Sequence, residues 1–104
     1  MVINGKEIDF NIANIEHAQN MENALQNMAK GENEIRNMGE VPMSVMLKKM
    51  IGIFKTFFNE ATGVDVLEGC NDFVKAKETY SDFLAEIARQ KEQVLAPFSL
   101  NRIK

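Results

Sequence analysis

The stretch PMSVMLKKMIGIFKTFF, residues 42–58, limits what this chain can fold into more than any other. At 100° per residue it sets Met43, Met46, Leu47, Met50, Ile51, Ile53, Phe54, Phe57, Phe58 and Ala61 on one side, with Lys48, Gly52, Lys55 and Asn59 on the other. This is an amphipathic helix whose apolar arc is wider than one neighbouring helix covers. Pro42 suits a first turn, where a missing N–H costs nothing, and Gly63 suits a C-terminal cap, so the helix spans about 42–62. The arc makes it the central element, with helices on two sides, unless part of it meets another protein. Charges interrupt it far short of the roughly 20 apolar residues that a bilayer span requires, which excludes a membrane-crossing role for this segment.

The flanking sequence supplies the remaining elements. Asn4-Gly5 between β-prone residues predicts a two-residue hairpin turn. After it, Ile8, Phe10 and Ile12 alternate with Glu7, Asp9 and Asn11, so one face of the strand is apolar. A lone hairpin is marginal in water, so these side chains either lie on the chain's own helices or meet a strand of another subunit. Asn14 reads as a helix cap, with Glu16 near the positive end of the helix dipole. Ala18, Met21, Leu25 and Met28 then repeat at three and four, and if Gly31 is tolerated the stripe continues through Ile35 and Met38 to a stop at Gly39. Residues 64–72 hold turn residues around a short apolar pair and predict a single helical turn. Asn71 or Asp72 caps a last helix whose seam is Phe73, Ala76, Tyr80, Phe83, Ile87 and Val94, broken at Gln90 where the helix leaves the core. Pro97 stops it.

The fold expected is therefore mostly α: a three-helix bundle at about 14–38, 42–62 and 72–95, with a short N-terminal β-hairpin. Residues 1–96 form one domain, with the hairpin in 1–12, and 97–104 form a flexible tail.

Signals for chemistry are sparse. Cys70 is the only cysteine and His17 the only histidine, so neither an intrachain disulfide nor compact zinc-ligand spacing is available. Glycines stand singly at 5, 31, 39, 52, 63 and 69, without the clustering that cradles a phosphate. The carboxylate pairs Glu32 with Glu34 and Asp65 with Glu68 fall in polar segments, and the inward helix positions are apolar. The expectation is a non-enzyme with no cofactor and no metal.

Net charge is −3, with Lys48, Lys49 and Lys55 against Glu60 alone in residues 42–61 between acidic flanks. That balance is too weakly basic for nucleic acid. MVINGKEIDF brings charges before any apolar run, so no signal peptide is expected, and the single cysteine fits the cytoplasm. Two features remain for holding other chains. One is the strand edge with Ile8, Phe10 and Ile12, a route to a homo-oligomer; the other is the tail, where Phe98 and Leu100 can enter a groove and Arg102 can pair with a carboxylate. Seven methionines, mostly in the first two helices, would also suit an adaptable groove.

The order of VINGKEIDFNI, MENALQNM, FKTFFNEATG, EGCND, IARQKEQV and SLNR resembles, over nearly the whole chain, a family of small phage and prophage proteins of Gram-positive bacteria encoded among tail genes. The resemblance rests on a pattern of residue types, not on a catalytic signature. It implies a tail assembly chaperone that coats the tape-measure protein in the host cytoplasm. The alternatives are a tail component forming an oligomeric ring, or an inhibitor of a host enzyme or defence system. One departure stands out: Leu100 precedes Asn101-Arg102 where the family pattern has proline.

Overall fold

Local chemistry sets every element boundary in the computed structural model, which describes residues 1–98. Asn4 and Gly5 take φ of 51° and 77°, the left-handed pair that a two-residue hairpin needs. They join β1 (Val2–Ile3) to β2 (Lys6–Glu7), with Val2 opposite Glu7 and Ile3 opposite Lys6. The Asn14 side chain accepts the His17 N–H at 3.1 Å and starts α1 (Ile15–Arg36). After Pro42, α2 (Met43–Thr62) ends on Gly63 at φ 73°, whose N–H reaches the Asn59 carbonyl. The Asp72 side chain accepts the Val74 and Lys75 N–H groups at 2.8 and 3.2 Å and starts α3 (Phe73–Leu95). A 3-10 turn, Ala96–Phe98, follows. Three helices and an N-terminal hairpin are what the sequence pattern predicts.

The strand expected to run on through Ile12 stops at Glu7. Ile8 N–H still reaches the Met1 carbonyl at 2.7 Å, but the backbone beyond it turns to α3. There the Gln90 amide donates to the Phe10 carbonyl at 3.1 Å and accepts the Ile12 N–H at 2.9 Å. The polar break in the α3 seam is thus a clamp on the N-terminal segment. Residues 91–98 beyond it are all exposed, so Val94 is not part of the seam.

α1 and α2 pair antiparallel, bracketed by Asn27 to Glu60 at 2.7 Å and Lys49 to Glu34 at 2.9 Å. Between these pairs Gly31 is buried against Ile53, and a Cβ there would lie 2.9 Å from Ile53 Cγ1. The close approach explains why α1 carries a glycine in its interior. Gly31 shares its buried face with Met21 and Ala24, at helical spacing, while Leu25, expected in the stripe, is 40% exposed.

The core gathers at one end of this pair. Phe83 packs edge-on against Phe10, Phe57 and Phe58, with ring centres 5.4 to 5.9 Å apart, and Tyr80 lies 5.0 Å from both Phe54 and Phe57. Val66 and Leu67 seal the core from a hydrogen-bonded turn rather than a helical one. The hairpin is tied to that turn by Asn4 Nδ2 to the Val66 carbonyl and by Lys6 to Glu68, each at 2.7 Å. The lysine holds the Glu68 carboxyl below its ordinary range.

Phe57→Ala and Phe83→Ala should each lower stability by about 3–5 kcal/mol, as truncations of buried rings, read from denaturant unfolding. Unchanged midpoints would show that the core lies elsewhere. Tyr80 is the only tyrosine and there is no tryptophan, so ultraviolet absorbance reports its ionisation alone. Burial, then the nearby Glu32 charge, raise its pKa. Its titration midpoint should therefore exceed 10 in the folded protein. The neutral phenol's contribution is complete below the unfolded value and is lost as pH rises through the folded one, so this contribution disappears only in the alkaline range.

Candidate functional site

The structure separates the residues that the sequence marked for partners. Ile8 and Phe10 are buried, Phe10 between Phe83 and a stacked His17 ring, and Ile12 is half-buried. Their apolar face is consumed by the chain's own helices and is not a free strand edge. The reason is the Gln90 clamp, which satisfies the backbone that an incoming strand would have paired. Phe98 is 72% exposed at the end of the 3-10 turn, whereas Leu100 and Arg102 lie outside the described residues. A Phe10→Lys substitution consequently probes folding, not association.

A different surface emerges at the tip of the α1–α2 pair. No residue from Glu32 to Met50 is buried, although Ile35, Met38, Val41, Met46, Leu47 and Met50 are half-buried and Met43 is 69% exposed. The cause is the placement of α3. It begins with Phe73 beside Phe54 and runs toward Phe58 and the N-terminal segment, so it covers only the C-terminal half of the α2 arc. The expected central position of α2, with helices on two sides, is found from Ile51 to Ala61, and before Ile51 part of its arc is left uncovered among the described residues. Where α3 stops short, a cavity of about 170 Å³ opens, lined by Met28, Ile35, Met50, Ile53, Phe54 and Phe73, with Glu32 the one charged residue on its rim. Helical periodicity reveals the width of an apolar arc but not how far a neighbour covers it. The methionine content was the available signal.

Two further grooves flank α2. A groove of about 410 Å³ follows the α1 boundary past Lys30, Glu34, Lys48 and Thr56, and another of about 370 Å³ lies between α2 and Cys70-Asn71.

His17 and Cys70 have structural settings. Asn11 N–H donates to His17 Nδ1 at 3.0 Å, and the Cys70 thiol donates to the Asp72 carbonyl at 3.4 Å. On α3, Arg89 pairs with Glu86, which lowers the carboxyl pKa and raises that of the guanidinium. Among the described residues no group of three or more His, Cys, Asp or Glu side chains is placed to hold a metal, and no helix is long and apolar enough to cross a membrane.

Residues 4–102 match the model of a family of unknown function, DUF6673. The chain belongs to that family. The match takes in the hairpin turn and all three helices, so the DUF6673 pattern covers both the clamp and the tip. No curated protein and no solved structure matches the chain. The family description assigns no activity, which leaves the geometry as the guide to function.

Gln90→Leu removes both bonds to the N-terminal segment and strands the Ile12 N–H and the Phe10 carbonyl. It should cost about 1–3 kcal/mol for each group left buried without a partner. Amide exchange at Ile12 should accelerate while the middle of α2 stays protected; equal acceleration throughout would mean that the clamp is not local.

Proposed function

We propose that the protein is a non-enzymatic tail assembly chaperone of phage or prophage type, acting in the host cytoplasm, and that the tip of α1–α2 receives helical segments of the tape-measure protein. The observation that carries this reading is the uncovered tip, residues 32–50, with half-buried Met38, Met46 and Met50 and an apolar cavity at its base between Met28 and Met50. Unbranched methionine side chains repack around varied apolar partners at little cost, which suits a client presenting many different helical turns. The acidic residues elsewhere, in a chain of net charge −3, would keep such a complex dispersed. The setting among tail genes comes from the sequence resemblance alone.

The test is coexpression of the full chain with segments of a phage tape-measure protein, followed by size-exclusion chromatography. Wild type should co-elute with helical segments. Ile35→Asp and Met50→Asp, at half-buried positions, should fold yet lose at least about tenfold in affinity, equivalent to 1.4 kcal/mol. Absence of any complex with wild type, or complexes indifferent to both substitutions, would contradict the reading.

A further inference from the structure

Gly52 occupies the middle of α2, on its outward ridge, and the fold makes no use of it. Its φ is not positive, and a Cβ there would meet nothing within 4 Å, in contrast to Gly31. In a helix interior, glycine costs about 1 kcal/mol relative to alanine, and Gly52 is only half-buried. What its missing side chain does is lower the ridge between two grooves. Lys48 and Gly52 line both the 410 Å³ groove beside α1 and the 370 Å³ groove beside Cys70-Asn71, so the two join over Gly52 as one trough across α2.

Across both grooves Lys30, Lys48, Lys49 and Lys55 stand against Glu34 and Glu60, and Glu34 is already paired with Lys49 and Glu60 bonded by Asn27. Leu47 and Ile51 give the second groove an apolar floor, and Lys48 and Lys55 stand on its rim. Seven residues apart on a helix, the two ammonium stems are rooted about 10 Å from each other along the axis. Neither is in an ion pair among the described residues, whereas Lys6 and Lys49 are. By helical geometry Gly52 lies about 160° around α2 from both Met50 and Phe54, whereas Met28 and Ile53 line both the groove beside α1 and the cavity, so the trough and the cavity adjoin along the α1 side of α2.

We propose that the trough is a second docking surface, and that its occupant is an acidic amphipathic helix of a partner protein, crossing α2 at Gly52. Its apolar side chains rest on Leu47 and Ile51, and its carboxylates reach Lys48 and Lys55. The saddle admits the close crossing of two helices that a side chain at position 52 would hold apart. The rim lysines select the charge of the occupant. The inference goes beyond the chaperone reading and does not depend on it.

The probe is a fluorescein-labelled synthetic helix of about five turns, carrying a leucine stripe, alanine at its centre and glutamates on both flanks. A control peptide has lysine for each glutamate. Both are titrated by anisotropy against the full chain, against Gly52→Leu, and against the double variant Lys48→Glu with Lys55→Glu. Wild type should bind the glutamate peptide, and each variant should bind it at least about tenfold more weakly. The double variant should instead prefer the lysine peptide. Gly52→Leu should melt no lower than wild type, because helical propensity improves at an open position.

Four results would overturn the proposal: no binding of the glutamate peptide to wild type, equal binding of both peptides, unchanged binding by Gly52→Leu, or a lowered melting midpoint for that variant. Wild-type self-association abolished by Gly52→Leu would assign the trough to a second copy and overturn it as well.

Discussion

Phe83 fixes where the third helix can sit. Its ring touches Phe57 and Phe58 on α2 and Phe10 on the N-terminal segment, so one side chain joins three parts of the chain that are far apart in sequence. Tyr80 and Phe73, on the preceding turns of α3, continue the contact along α2 only as far as Phe54. α3 therefore closes the half of the α1–α2 pair that holds Ile51–Ala61, and among the described residues no third layer covers the other half. The tip is exposed because the core is placed at the other end.

That division gives α2 two kinds of surface along one helix. From Ile51 to Ala61 it is an interior element, fully enclosed at Phe57 and Phe58. From Met43 to Met50 it has α1 on one side and nothing among the described residues to complete the enclosure. The pair is held in register by Gly31 against Ile53, and the flanking bonds from Asn27 to Glu60 and from Lys49 to Glu34 lie at the surface. Surface polar pairs contribute little to stability. The close glycine contact and the apolar contacts around it do more, because they set the distance between the helices over their whole length.

What the sequence revealed divides by range. Asn4-Gly5, Asn14, Gly63 and Asp72 act on backbone within a few residues of themselves, and all four act in the structure as their chemistry predicts. Phe57, Phe83 and Ile87 were legible as core from spacing alone. The errors concern partners that are distant in the chain. Gln90 was visible as a break in the seam, but its partners are Phe10 and Ile12, about 80 residues away, and only the fold brings them together. The same contact removes Ile8 and Phe10 from the candidate binding residues. Ala24, not Leu25, lies on the buried face that Gly31 turns to Ile53, a contact between residues 22 apart that spacing within α1 does not show.

The proposed role rests on the uncovered tip being the surface that a helical client occupies. Hydrogen–deuterium exchange of the full chain, alone and with a tape-measure segment present in excess, addresses it directly. The account predicts added protection concentrated in residues 32–50, with the Phe83-centred core unchanged because it is already closed. Protection confined to the hairpin or to α3 beyond Gln90, or none anywhere, would contradict it.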